Sequence, residues 1–303
     1  MKTTIKLAAL AAATGFAACA HAEVEFNANI EHDITKVSKK EVASTGRVEL
    51  NALASLAKSG DNFINAKATL TVPTGSGADV GIDDAWLQFG NSSSDLKIGR
   101  QEAADLFPLG KDVVVEGAGT LSGAGFNGGY RANKLRGRVK SGALHGVVGF
   151  NAGPGVRFEL GAVTKKGADV YGLRPTLVYS AGAFTVRAGF ESVRQVGQPS
   201  ATGLGLSVGL APAEGVNVNL NYAKSTKLNG QSIGINATFG AAGVGYVQDK
   251  DNALNEKVNT VYAAYSFPFM GIKGAVITPA ISHSNGTGVD NVTALRVRFN
   301  YAF

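Results

Sequence analysis

Basic side chains recur at alternate positions along this chain, and they are the residues best suited to chemistry. Arginine keeps its charge at every accessible pH and binds a carboxylate or phosphate through two parallel hydrogen bonds. If these side chains line one compartment with low-dielectric walls, they concentrate anions in it and deplete cations. We expect fewer acids than basic residues on this face, such as Glu49, Glu159 and Glu191. The basic set is Arg47, Lys67, Lys97, Arg136, Arg138, Arg157, Arg174, Arg187, Arg296 and Arg298.

A second candidate group lies in one long, glycine-rich and irregular stretch, residues 101–128. Loops of this length in a compact domain usually serve a function or are disordered. If its carboxylates face the basic set across a passage, the resulting transverse field orients dipolar solutes. The candidates in this stretch are Glu102, Asp105, Phe107, Lys111, Asp112 and Glu116.

Two strings resemble catalytic motifs but lack the structural context that those motifs need. Residues 205–209 match the nucleophile-elbow pattern, yet the serine lies inside an alternating segment and not at a strand-to-helix turn. Residues 123–128 match a dinucleotide fingerprint, but no helix follows. His32, His145 and His283 are far apart in sequence and pair with no nucleophile. We therefore predict no catalytic residue, no metal site and no cofactor, and we do not expect an enzyme.

The elements that must position the basic residues are β-strands, and the C-terminal residues 289–303 show this most clearly. Leu295, Val297 and Phe299 alternate with Arg296 and Arg298. Because successive side chains of a strand face opposite sides, one face is apolar and the other cationic. An apolar face of this kind suits lipid and the cationic face suits a water-filled lumen, as in a transmembrane β-barrel. The alternative, that the arginines are simply the solvated face of a soluble sheet, fits the continuous apolar face less well.

The same alternation recurs along the chain, and one strand with its connection takes up about 17 residues. Residues 23–33, 47–57 and 63–72 show it in phase. We predict further strands at 130–140 and 144–163, and sixteen strands in all. Splitting 144–163 at Gly153 would make seventeen, and single-chain barrels need an even number. No helix or domain boundary is predicted within residues 23–303.

The N-terminus is typical of a secretory signal peptide covering residues 1–22. Lys2 and Lys6 precede an apolar run that ends at Ala20-His21-Ala22, a small-residue cleavage site. Cleavage before Cys19, as in a lipoprotein, is the alternative. Cleavage after Ala22 leaves a mature chain without cysteine. A formal net charge of +6 for the full chain is too small to indicate a nucleic-acid partner.

Residues 96–101, Leu-Lys-Ile-Gly-Arg-Gln, are followed by the long stretch. This arrangement resembles the strand that leads into the third external loop of the Gram-negative general porins. The terminal Phe303 resembles the aromatic residue that ends the closing strand in that family. The resemblance implies an outer-membrane homotrimer of sixteen-stranded antiparallel barrels, with the third external loop folded into each lumen. It also implies outer-membrane lipid and lipopolysaccharide as neighbours. Ile98 and the string at 107–110 depart from the family pattern.

The function expected from these observations is passive diffusion of small hydrophilic solutes, with a preference for anionic ones. One alternative is a substrate-specific channel for a sugar or organic acid, with a binding site around Phe107 and Trp86. A secreted, β-rich adhesin is a second alternative, and it would stay soluble without detergent. A further alternative keeps the channel, but the basic residues pair with lipopolysaccharide or with lumen acids and set no selectivity.

Overall fold

The computed structural model is all-β and describes residues 23–75, 79–113, 133, 135–137, 143–165, 170–195, 197, 200–226, 229–288 and 290–303. The predicted signal peptide lies outside these residues. Within them, no helix is long and apolar enough to cross a membrane.

Sixteen long antiparallel strands and one two-residue strand form a single closed sheet. Each strand pairs with its neighbours in the chain, and β1 pairs with β17 from Asn29↔Ala302 to Val37↔Ala294, which closes the barrel. The two-residue strand β15 pairs with β16 beside the end of β14. The strands are β1 Glu23–Val37, β2 Val42–Ser59, β3 Asn62–Pro73, β4 Gly81–Gly90, β5 Ser94–Arg100, β6 Ala143–Gly153, β7 Val156–Lys165, β8 Val170–Ala181, β9 Phe184–Gln195, β10 Ala201–Ala213, β11 Val216–Ser225, β12 Gly230–Phe239, β13 Ala242–Asp251, β14 Glu256–Tyr265, β15 Phe267–Pro268, β16 Ala275–Thr287 and β17 Val292–Ala302.

The predicted alternation sorts side chains between the two faces of the wall. On β17, Leu295, Val297 and Phe299 are exposed on the outer face, whereas Ala294 and Arg296 are buried inside. The same outer row of large apolar residues continues around the barrel, including Phe26, Leu87 and Leu220. The predicted antiparallel barrel of sixteen strands is therefore confirmed.

Two of the predicted strand boundaries are wrong, and their errors cancel in the count. The stretch 144–163 is not one strand, because residues 153–156 turn between β6 and β7. Gly153 and Gly155 have φ values of 140° and 72°, which side chains with a Cβ rarely adopt. In the predicted strand 130–140, the described residues Leu135–Gly137 form no strand, and Gly137 makes only an isolated bridge to Glu102.

Candidate functional site

The inner surface of the barrel is divided between two kinds of wall. The inward positions of β1–β5, β7 and β17 carry most of the charged side chains, and we call this the charged wall. The inward positions of β10–β14 and β16 are mainly Gly, Ala, Ser, Thr and Asn, and we call this the small-residue wall. A sixteen-stranded barrel is wide enough to leave an aqueous lumen between them.

On one side of the charged wall, β1 and β17 hold a network of arginines and acids. Arg298 binds Asp33 through two hydrogen bonds of 2.8 Å, from Nε and Nη2. Arg296 Nη1 lies 3.4 Å from the same carboxylate. Arg47 lies 3.2 Å from Glu31 and 3.4 Å from Glu49. Each of these three predicted cations is therefore partly neutralised by an acid on a neighbouring strand.

The rest of the charged wall shows the same pairing. Arg157 contacts Asp95 at 2.9 Å and Glu159 at 3.0 Å. Lys67 contacts Asp84 at 2.7 Å. Four further acids, Glu31, Asp33, Asp84 and Asp95, also face inward and were not named from the sequence. Counting acids at the same alternate positions as the arginines would have found them.

Two predicted lining cations differ from the others. The Lys97 ammonium lies 4.6 Å from the centre of the Trp86 ring and has no carboxylate within ion-pair distance among the described residues. Arg187, on β9, likewise has no carboxylate partner in the described part of the chain, and its Nη1 lies near the backbone of Gly209. Among the described residues, neither side chain forms a direct ion pair, although the carboxylates of Asp95 and Glu159 act on the Lys97 ammonium from a longer distance.

The described part of the long stretch, residues 101–113, lies along the inner surface and is called the inner segment here. Its start is held by side chains of β7 and β8. The Ala104 amide donates to Glu159 at 3.1 Å, and Arg174 Nη2 donates to the Ala104 carbonyl at 2.8 Å. Arg174 is only 1% exposed, so it holds the inner segment and does not line the open lumen as predicted.

Residues 133 and 135–137 support the same start of the inner segment. Asn133 accepts a hydrogen bond from the Leu106 amide at 3.1 Å and donates to Asp105 at 2.6 Å. Arg136 contacts Glu102 at 3.3 Å and Asp105 at 3.5 Å. The predicted basic and acidic candidates of this region therefore neutralise one another.

The middle of the inner segment packs on the small-residue wall. Leu106 and Phe107 are fully buried in a cluster with Ala223, Val247 and Tyr262. A Cβ on Gly234 would come within 3.0 Å of the Phe107 ring, so this wall has room for the ring only because the side chain is missing. The binding site expected around Phe107 and Trp86 is not formed, since Phe107 is 1% exposed and contacts a different wall from Trp86.

Wall side chains also bind the backbone of the inner segment. Asn221 and Asn236 both donate to the Pro108 carbonyl at 2.7 Å. Tyr262 donates to the Leu109 carbonyl at 2.6 Å, and Arg296 Nη1 donates to the Val113 carbonyl at 2.6 Å. These partners satisfy backbone acceptors that no strand pairs. They were missed from the sequence because Asn and Tyr on alternating strands carry no signal for such contacts.

Further along, the Lys111 side chain lies against Gly243, and burial lowers the pKa of its ammonium. Asp112 also lies in the inner segment. Two predicted candidates, Arg138 and Glu116, lie outside the described residues. Among the described residues, no group of three or more His, Cys, Asp or Glu side chains is placed to hold a metal ion.

Comparisons with known proteins agree with this architecture. A family model described as Gram-negative porin matches residues 7–302. The outer-membrane expressed OmpT of Vibrio cholerae has a similar structure, with a TM-score of 0.68 and 13% identity over 93% of this chain and 98% of that one. An engineered variant of the Rhodopseudomonas blastica porin gives a TM-score of 0.64 and 12% identity, over 92% of this chain and 100% of that one. No curated protein sequence matches the chain.

Proposed function

The chain belongs to the Gram-negative porin family, and from that premise we propose that it is a passive outer-membrane diffusion channel for small hydrophilic solutes, with a preference for anions. Family membership supports an outer-membrane channel. No catalytic or cofactor chemistry is needed, because solutes would move down their own gradient.

The observation that carries the proposal is the position of the inner segment. Its middle lies on the small-residue wall, through the Phe107 cluster and the bonds to Pro108 and Leu109, and leaves most of the charged wall facing the remaining lumen. A passage lined by charged side chains on one side and a polypeptide segment on the other is a constriction for hydrated solutes. Trp86 and the paired charges of β1–β5 would form its polar side.

We assign the anion preference to Arg187 and Lys97. Five other lining cations, Arg47, Lys67, Arg157, Arg296 and Arg298, have carboxylates within 4 Å, and their fields largely cancel at a distance. An uncompensated charge in a narrow aqueous passage raises the local concentration of counter-ions. The preference is therefore expected to be weak, set by two cations and not by the ten predicted.

The proposal includes an export signal at residues 1–22, a single barrel domain over 23–303 and assembly as a homotrimer. The test is single-channel recording on the refolded mature chain in a planar bilayer, with the reversal potential measured in a salt gradient. Conductance steps in groups of three with an anion-selective reversal potential are expected. Cation selectivity would overturn the anion preference and keep the channel. A folded sample without conductance would overturn the channel itself.

A further inference from the structure

His145 is buried inside the barrel without a hydrogen-bond partner among the described residues. It lies on β6 and is 2% exposed, and it faces inward because its neighbour Leu144 is exposed on the outer face. In the part of the chain that the structure describes, neither nitrogen of the imidazole ring forms a hydrogen bond. Buried polar groups nearly always have a partner, so an exception of this kind needs an explanation. The proposed passage makes no use of this ring.

The ring lies near Arg174, the residue that holds the start of the inner segment. The register places His145 opposite Val163 on β7, and Arg174 on β8 opposite Gly161, the next inward position of β7. Gly161 places no side chain between Arg174 and β6, and a Cβ there would lie 3.6 Å from the Arg174 Cβ. The charge of the guanidinium acts on the imidazole. A change of charge on the ring therefore acts on the side chain that binds the inner segment.

The lumen side of this region is covered by the support of the inner segment. The Leu135 side chain lies on Gly172, where an added Cβ would be 2.6 Å from its Cδ1. Gly172 is opposite Val163, so it belongs to the same inward row as His145. The Leu135 amide donates to Glu191 at 3.0 Å, which fixes the cover to β9. On the other side of the wall is the outer, apolar face of the barrel, so the ring reaches water when this cover moves into the lumen.

Charged side chains face the ring region from every element packed around it, and the acids among them already accept hydrogen bonds. Glu159 accepts from the Ala104 amide at 3.1 Å. Glu191 accepts from the support, as described above. A proton on the ring therefore adds a further cation to a set whose described members bind one another. The set is Asp95 and Lys97 on β5, Arg157 and Glu159 on β7, Arg174 on β8, Glu191 on β9, Glu102 and Asp105 in the inner segment, and Arg136.

We propose that His145 is the proton-sensitive part of a latch that holds the inner segment. At neutral pH the uncharged ring lies beside Arg174, whose Nη2 donates to the Ala104 carbonyl at 2.8 Å and to the Asn133 side chain at 2.9 Å. When the ring takes up a proton, two cations lie close together in a site closed to water, and they repel. The repulsion is relieved when Arg174 gives up these two bonds, the start of the inner segment moves into the lumen and water reaches the ring. Acid should therefore close the channel reversibly.

The size of the effect follows from the number of protons involved. The released arrangement binds one proton more than the latched one, so the ratio of the two changes by at most about tenfold per pH unit. A solvated imidazole titrates near pH 6.5, so acidification from about pH 6.5 to about pH 4.5 should raise that ratio by up to about a hundredfold. Carboxylates also begin to take up protons at the acidic end of this range. The test therefore needs a variant that lacks only the imidazole.

The test is single-channel recording of the refolded mature chain between about pH 7 and about pH 4.5, with the frequency of closures as the measurement. Closures should become frequent on acidification in the unmodified chain and stay rare in H145Q, whose side chain is polar but takes up no proton. H145K adds a cation at the same place and should close frequently already at neutral pH. The matched controls are H32Q and H283Q, because both histidines lie at outward positions, opposite Phe299 and Val261, and both variants should behave like the unmodified chain.

A second measurement does not depend on conductance. The mature chain contains three histidines, His32, His145 and His283, so the imidazole NMR signal that disappears in H145Q belongs to His145. Its titration midpoint should coincide with the midpoint of the closures, and the Ala104 amide signal should shift with it.

Equal acid closure in H145Q and the unmodified chain would overturn the latch, as would protonation of His145 without closures. The latch rests on the proposed channel, and the two can fail separately. A folded chain that never conducts would overturn the channel, whereas an Ala104 signal that stays unchanged while His145 titrates would overturn the latch.

Discussion

The Phe107 ring lies against the backbone of Gly234, so closely that a Cβ there would sit 3.0 Å from two of the ring carbons. The contact joins the inner segment to β12. It explains why the small-residue wall carries no large side chain at position 234. The inner segment and the small-residue wall are therefore complementary in shape, since the Phe107 ring fills the space that Gly234 leaves.

The first prediction concerns this contact. Gly234→Val adds branches where the Phe107 ring already lies, and overpacking of a filled interior costs about 1–3 kcal/mol. Because strand geometry tolerates valine, we expect the barrel to form and the inner segment to move away from the wall. Single-channel conductance should change, and the melting temperature should fall modestly.

Gly161→Ala is the matched control for that substitution. Its added Cβ would meet Arg174 at 3.6 Å, an ordinary contact. The control should leave conductance unchanged. If Gly234→Val also leaves conductance unchanged in a folded barrel, the inner segment does not narrow the passage.

The second prediction concerns the hydrogen bond from Tyr262 to the Leu109 carbonyl. Tyr262→Phe keeps the ring in the cluster and removes only the donor, leaving a buried acceptor unpaired at a cost of about 1–3 kcal/mol. Amide hydrogen exchange of residues 101–113 should accelerate by about tenfold or more, while strand exchange stays slow.

Tyr265→Phe provides the comparison, because its outward hydroxyl has no hydrogen-bond partner among the described residues. It should leave exchange of the inner segment unaltered. Equal exchange in the two variants would show that the Tyr262 bond does not hold the segment.

Much of the fold could be predicted from the sequence because lipid and water impose opposite demands on the two faces of each strand. The alternation of Leu295, Val297 and Phe299 with Arg296 and Arg298 is a local pattern. It predicts which face of the strand each side chain occupies, without knowledge of the neighbouring strands. The positions at which strands end depend on more than the local pattern. The split at Gly153 and the loss of a strand near Leu135 depend on turn geometry and on packing inside the lumen, which alternation alone does not encode.

Less of the site could be predicted. The alternation correctly places Arg157 and Arg298 inside the barrel. It does not show that the carboxylates of Asp95 and Asp33, on other strands, neutralise them. That pairing depends on register between strands far apart in the chain. Nor does it separate Arg174, which is buried under the inner segment, from Arg187, which has no acid within ion-pair distance in the part of the chain that the structure describes.

The third prediction concerns Asp33, which binds both Arg296 and Arg298. Asp33→Asn removes the charge that two guanidinium groups share, and breaking such a partly buried network costs about 3–5 kcal/mol at most. The lumen gains one positive charge, so the reversal potential should move towards greater anion selectivity, and thermal stability should fall. Asp290→Asn makes the same charge change at the exposed partner of Lys39 and should alter neither property.

The final prediction concerns Arg187 and tests whether an uncompensated cation sets selectivity. Arg187→Glu changes the lumen charge by two units at a side chain that no described acid contacts, so it breaks no ion pair between described residues. One unit charge about 7 Å from an ion in water contributes about 0.6 kcal/mol, and a severalfold fall in the anion-to-cation permeability ratio should follow. The reversal potential in a salt gradient measures this ratio directly.

Two comparisons show whether position or charge alone produces that shift. Lys36→Glu makes the same charge change on the outer face of β1, and its permeability ratio should equal that of the unmodified chain. Arg157→Glu makes the change inside, but it places a third carboxylate beside Asp95 and Glu159, so its main effect should be lower stability. If Arg187→Glu leaves the permeability ratio unaltered, the selectivity must come from Lys97, from the paired charges or from the part of the chain beyond Val113. The assignment to Arg187 would then be wrong, although the channel and its inner segment would stand.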